Sequence, residues 1–218
     1  MVSFFSNRAP LLYWNKKSYY KSFSQYLHAQ SGSLFHDHIW LNLTRPLTGY
    51  EFFENFIEDF DEFSKVKKYP LPPHSTQMKN ISESAFKTCL AELLGDTIFM
   101  DWGGETSDYF TAHLHLNSSR KSATFLLKGP SRFEPMGLNH LGKNNDQIVR
   151  LSHEPAQILI VQHCHDILPA VRETLRAFAV QPSNPRRYCL IDGRDSLRLL
   201  YAYDLYNKAL LLSKKVEV

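Results

Sequence analysis

An α/β fold with a mixed central β-sheet flanked by helices, behind a small N-terminal α+β region, is what the sequence predicts. Three observations lead there. From residue 80 onward the patterns run helix, three strands, helix, strand, helix, strand, helix. The alternating segments "YFTAHLHLN" and "SATFLLKGP" flank a short polar run and read as an antiparallel hairpin. The continuous apolar run "AQILIVQHC" reads as a strand covered on both faces. A strand reached through a helix runs parallel to its predecessor, so hairpin and crossovers together predict a mixed sheet.

The elements follow in order. "HDHIWLNL" (36–43) alternates enough to be a strand, with Ile39, Leu41 and Leu43 on one side. In "GYEFFENFIEDFDEFSKV" (49–66), Phe52, Phe56, Phe60 and Phe63 recur at helical spacing, which predicts an amphipathic helix. Its other faces carry Glu51, Glu54, Glu58, Asp59, Asp61 and Glu62, a solvated acidic surface on which a partner protein could dock. "KKYPLPPHSTQ" (67–77) has the composition of a linker, because proline cannot continue a helix. The expected organisation is therefore an accessory region, 1–78, and a main domain, 79–218. "NISESAFKTCLAELLGD" (80–96) begins with cap candidates Asn80 and Ser82, ends at Gly95 and buries Phe86, Leu90, Leu93 and Leu94. "TIFMDW" reads as a short strand and "GGETSD" as a turn before the hairpin. "GKNNDQIVRLSH" reads as a helix. "DILPAVRETLRAFAV" is amphipathic, with Leu168, Val171, Leu175 and Phe178 inward and Arg172 and Arg176 outward. "RRYCLIDG" reads as a strand, and "DSLRLLYAYDLYNKALLL" as a final helix or a strand and helix.

Bulk properties exclude several classes. Of 218 residues, 43% are hydrophobic and 22% charged, as in ordinary globular chains, and a net charge of +3 leaves any basic surface to be local. Three scattered cysteines, Cys89, Cys164 and Cys189, suit a reducing compartment rather than a disulfide framework. The first residues lack a signal-peptide pattern, and no apolar run reaches the ~20 residues of a membrane helix, so a cytoplasmic protein without membrane association is expected. Glycines in "GPSRFEPMGLNHLGKNND" lack the spacing of a phosphate-binding loop or dinucleotide fingerprint.

The chemistry concentrates in the hairpin. Antiparallel pairing of 109–117 with 123–129 brings Asp108, at the start of one strand, beside Lys128, near the end of the next. A carboxylate and a lysine at one strand end suit phosphodiester cleavage: carboxylates hold a hard cation, and a lysine stabilises the phosphate. Two ordinary surface charges on a hairpin are the alternative. Between residues 118 and 150, six cations (Arg120, Lys121, Lys128, Arg132, Lys143, Arg150) face two acids (Glu134, Asp146), and Arg186 and Arg187 cluster near the last strand. Such groups neutralise backbone phosphates. The nucleic-acid-binding residues expected are Arg120, Lys121, Arg132, Lys143, Arg186 and Arg187.

The order αβββαβ, with an acid opening the second strand and a lysine closing the third, resembles the PD-(D/E)xK (restriction-endonuclease-like) nuclease superfamily, over roughly 80 to 200. The resemblance implies a nuclease that hydrolyses phosphodiester bonds of nucleic acid, DNA foremost, with Mg²⁺ or Mn²⁺, in prokaryotic defence or DNA processing. "GGETSD" places Asp108 as the metal-binding aspartate. "FLLKG" places Lys128 as the signature lysine, and "NNDQIVRL" places Gln147 as the supporting glutamine. Two departures stand out. The acid two residues before the lysine is replaced by Leu126, and where some branches carry a glutamate in the opening helix this chain has Lys87. Glu105 is the best substitute metal ligand, ahead of Glu134 and Asp146. The alternative is a catalytically inactive nuclease-like subunit that binds nucleic acid or an assembly partner; homo-oligomers fit either reading.

Ten histidines include three HxH pairs, His36/His38, His113/His115 and His163/His165. Residues two apart on a strand share a face, so two pairs on adjacent strands could form a zinc site and support a zinc-dependent hydrolase. Scattered hydrogen-bonded histidines are the simpler expectation. Cys164, between His163 and His165, is a conceivable nucleophile.

Overall fold

The computed structural model describes residues 53–96, 107–142 and 146–216. The expected strands at 36–43 and 97–102, Phe52, Glu51, Glu105, Lys143 and the pair His36/His38 lie outside them.

The described residues form a five-stranded mixed sheet in the order β1-β5-β4-β3-β2. Its strands are β1 (Glu54–Asn55), β2 (Tyr109–Leu116), β3 (Ser119–Lys128), β4 (Ile158–His163) and β5 (Arg187–Ile191). The predicted hairpin forms: β2 and β3 are antiparallel, with Tyr109 opposite Phe125 and Leu116 opposite Ser119. Asn117 and Ser118 have φ of 51° and 60°, the left-handed values that a two-residue type I′ turn requires. From β3 the chain moves one way across the sheet, β3 to β4 to β5, in parallel pairs. The crossovers are α2 (Gln147–His153) and α3 (Pro169–Ala179). Parallel pairing of β1 with β5 closes the other edge.

Alternation along the strands divides the core in two. Phe125, Leu127, Ile158, Ile160, Cys189 and Ile191 face one side, which is covered by α1 (Glu83–Leu94), α4 (Gly193–Ala202) and α5 (Tyr206–Val216). Leu126, Leu159, Val161 and Tyr188 face the other and pack on α2 and α3 through Ile148, Leu151, Val171 and Leu175. All six residues of β4 are buried, as its unbroken apolar run predicts. The expected caps of α1 hold: Ser82 Oγ accepts from Ala85 N (3.2 Å), and Gly95 closes the helix with φ of 70°. The C-terminal pattern resolves as two helices, α4 and α5. Among the described residues, no helix is long and apolar enough to cross a membrane.

Two expectations are corrected. The segment after residue 52 is not one amphipathic α-helix. It forms β1, then 3₁₀ helices at Ile57–Asp59 and Asp61–Lys68. Phe60 and Phe63 are buried, whereas Phe56 is 57% exposed. Phenylalanines at three- and four-residue spacing suit a 3₁₀ turn as well as an α-helix, and pairing of β1 with β5 settled the competition. Residue 78 is also no boundary, because Ile57, Phe60, Phe63, Val66 and Met78 belong to the same buried cluster as α1 and α4. The compact unit runs from Tyr50 to Val218.

The described acids of that segment are engaged within the chain. Glu54 pairs with Arg172 (2.8 Å) and accepts from Tyr188 Oη (3.2 Å). Glu58 pairs with Arg198. Asp61 accepts from Ser118 N at the hairpin turn (2.7 Å). Glu62 accepts from His115 N (2.8 Å) and meets its ring Nδ1 (2.6 Å). These bonds fasten residues 54–62 onto the sheet and α4.

Candidate active site

The C-terminal ends of β3 and β4 bring several chemically capable residues together, where ligands gather in open α/β sheets. Lys128, the last residue of β3, lies beside His163, the last of β4, in parallel register. Alternation puts both on the side of Leu126. Asp108 precedes β2. Its backbone N donates to Phe125 O (3.0 Å), and its Oδ2 accepts from Leu127 N (2.7 Å). The carboxylate thus takes the place of a ladder carbonyl where β2 runs out, which fixes it one residue from Lys128.

A residue that sequence reasoning missed completes the group. Glu83, the first residue of α1, accepts from Gly129 N through Oε2 (3.0 Å). Its position depends on a glycine: a Cβ on Gly129 would stand 2.9 Å from both Glu83 Cβ and Glu83 N, so only glycine lets α1 begin this close to β3. Burial raises the pKa of Glu83 most. The Gly129 amide opposes that shift, the Asp108 charge adds to it, and Lys128 and Lys87 oppose it. Much of the residue is nonetheless solvent-exposed, so these charges act through partly screened space. The signal available in the sequence was the acid in "SESAF", one position after the cap; the opening-helix search looked instead at Lys87.

The backbone O of Lys128 accepts from Cys164 N (3.2 Å), whereas its ammonium makes no hydrogen bond or ion pair among the described residues, including none with Asp108. Leu126, where the resembled motif has its acid, is 4% exposed in the apolar cluster with Met136, Leu141 and Ile148. Gln147 opens α2, its backbone N donating to Leu141 O (3.1 Å), while its side-chain Oε1 is buried without a partner among the described residues. The structure records no bond from Gln147 to Lys128.

The predicted basic residues divide between the two ends of the sheet. Arg132 lies just past Lys128 in a 3₁₀ turn, Pro130–Arg132, and is exposed. Lys121, Arg186 and Arg187 line a cavity at the opposite end. Arg120, beside the hairpin turn, donates through Nε to Ala112 O and is held to the strand. Seven residue steps along extended β3 separate Lys121 from Lys128, on the order of 23 Å.

Among the described histidines, His113, His115, His140, His163 and His165 have partners of their own. His113 meets Asp96 (2.5 Å) and His115 meets Glu62 (2.6 Å). His163 is buried; its Nε2 donates to Glu134 O (2.9 Å), and burial lowers its pKa, holding it neutral. His165 Nδ1 accepts from Asp166 N (2.7 Å). No group of three or more histidine, cysteine, aspartate or glutamate residues suited to a metal occurs among the described residues. The Cys164 thiol is buried and pushed up to about 12, first by burial, and no thiolate nucleophile exists there at neutral pH.

No protein-family model, curated protein or solved structure matches the chain. Fold and geometry define its class: an α/β domain with a mixed sheet and a carboxylate–lysine group at the C-terminal end of its hairpin strand.

Proposed function

We propose that the chain is a metal-dependent nuclease whose active site is the group Asp108, Glu83 and Lys128. The observation that carries this reading is the placement of two carboxylates on alternate amides where β3 ends, Leu127 N and Gly129 N, with Lys128 between them in sequence. Each carboxylate commits one oxygen to the strand and keeps the other free of hydrogen bonds among the described residues. Those oxygens are hard donors of the kind Mg²⁺ or Mn²⁺ takes, and two carboxylates with waters and phosphate oxygens suffice for Mg²⁺. A bound divalent cation would supply charge neutralisation and an activated water; Glu105 is proposed as a further ligand. Lys128 offers its unpaired ammonium to the scissile phosphate and stabilises the negative charge that grows on it. Gln147 supports the phosphate end of the site, and Arg132 extends the contact along the nucleic-acid backbone.

One observation favours a second reading, a nuclease-like subunit that binds nucleic acid without cutting it: Leu126 fills an apolar cluster where the resembled motif has an acid. The two separate in one experiment. Supercoiled and linear DNA, with an RNA control, are incubated with wild type, Asp108→Ala, Glu83→Gln and Lys128→Ala in Mg²⁺ or Mn²⁺ and in EDTA. Metal-dependent cleavage lost in all three variants is the expected result. Binding without cleavage, unchanged in Asp108→Ala, assigns the inactive role. Cleavage that survives both carboxylate variants sinks the site as drawn.

A further inference from the structure

At the other end of the sheet, about 490 Å³ of cavity opens where β3, β4 and β5 begin, within the range of small-ligand sites. Its wall combines Lys121, Arg186 and Arg187 with one acid, Glu154, and with the ring of Phe53. Arg186 is 7% exposed. Of its guanidinium donors, one is met by Glu154 O (3.1 Å), while its buried Nε has no partner. No carboxylate pairs with Arg186 among the described residues. Burial works against its charge and lowers its pKa. Buried charges are normally paired, since an unpaired ion pays a desolvation penalty of several kcal/mol. The Lys121 side chain likewise has no hydrogen bond or ion pair among the described residues. Arg187 donates to Asn55 Oδ1 (3.4 Å) and adds its charge to the wall.

We propose that this cavity binds a small ligand through its phosphate group, gripped by Arg186 and Lys121 with Arg187 alongside. Arg186 and Lys121 supply two cations for a phosphate dianion, and a guanidinium suits its paired oxygens. The volume exceeds what phosphate alone fills, leaving Phe53 and the flanking Pro155 and Pro185 to meet an organic portion. No glycine-rich loop contributes; the donors are side chains fixed at strand starts. The proposal is independent of cleavage at the Lys128 end.

The competing role for Arg186 is purely structural. Its backbone N donates to Ala179 O (2.7 Å) at the end of α3, and its side chain reaches the carbonyl that follows α2. The test must therefore read ligand binding as well as folding. Calorimetric titration and thermal unfolding of the whole chain with AMP, inorganic phosphate and adenosine, at constant ionic strength, provide both. Expected are binding and a raised melting temperature with AMP or phosphate, and none with adenosine. AMP tighter than phosphate identifies a phosphorylated organic ligand; equal affinities identify free phosphate as the source. Lys121→Gln, on the cavity rim, weakens the phosphate-bearing probe about tenfold, and Arg186→Gln abolishes its binding. If Arg186→Gln fails to fold, Lys121→Gln decides alone. No binding of either phosphate probe to folded wild type, or equal binding by Lys121→Gln, overturns the proposal.

Discussion

Replacing Asp195 with asparagine should make the protein more stable above neutral pH and flatten its stability profile below it. Asp195 lies in the first turn of α4, behind Asp192, which caps the helix by accepting from Arg194 N (2.8 Å) and Asp195 N (2.9 Å). Burial raises the Asp195 pKa from 3.8 to about 7; the charges of Asp192 and Glu58 add to the rise, and Arg198 and Arg194 oppose it. Those arginines are held elsewhere, Arg198 by Glu58 and Tyr69 O, Arg194 by Pro72 O, so neither neutralises Asp195 fully. Between about pH 4 and 7 the folded chain holds a proton on this residue that the unfolded chain has released. Stability therefore falls as pH rises through that window, by at most about 1.4 kcal/mol per pH unit. The shift corresponds to at most about 4 kcal/mol, and partial solvent access reduces the expected gain from Asp195→Asn to roughly 1–3 kcal/mol at pH 8. Urea unfolding of wild type and variant from pH 5 to 8.5 measures it, and the difference cancels groups common to both proteins. A stability difference independent of pH, or a variant less stable at pH 8, would refute the reasoning.

Other substitutions test the packing around the sheet. A Cβ on Gly193 would land on the Cys164 carbonyl, with its carbon at 2.5 Å and Ser75 Cβ at 2.6 Å; Gly193→Ala should therefore cost at least about 3 kcal/mol in thermal unfolding. Glu62→Ala strips the acceptor from the His115 amide and ring, so a loss of about 1–2 kcal/mol in chemical denaturation is expected. An unchanged midpoint would mean that the acidic segment is not fastened there. All three cysteines are buried, and the expected result with iodoacetamide at pH 8 is labelling only after urea; rapid native labelling of Cys164 would contradict its raised pKa.

What the sequence disclosed followed local periodicity. The hairpin was legible because alternation, a polar turn and a second alternating run agree, and α1 because Ser82, its apolar stripe and Gly95 agree. β1 has two residues, too few for any period, and exists because Tyr188 N finds Phe53 O (2.8 Å) across 135 positions of chain. The placement of Asp108 at the end of β3 was legible from hairpin register alone. Glu83 was not, because its approach to β3 depends on a tertiary packing of α1 that the missing Cβ of Gly129 allows. The sequence grouped Arg120, Lys121 and Lys128 in one stretch because proximity says nothing about which end of a ten-residue strand each occupies.

In the proposed site, Leu126 decides from which side acids approach Lys128. Restoring the resembled motif by Leu126→Glu would put a carboxylate into a space that is 4% exposed and walled by Met136, Leu141 and Ile148. The change loses the packing of a buried leucine, worth about 2–5 kcal/mol, and desolvates a carboxyl with no donor among those neighbours. The variant should be strongly destabilised and no more active than wild type. Its carboxyl should also titrate above the ordinary range, so that part of the lost stability returns on acidification toward pH 5. In this chain an acid can reach the end of β3 at low cost only from outside the core, from the turn before β2 or the first turn of α1, where Asp108 and Glu83 stand. A Leu126→Glu protein that folds as well as wild type and cleaves faster would show instead that the site retains room for its acid, and that Glu83 is merely a strand cap.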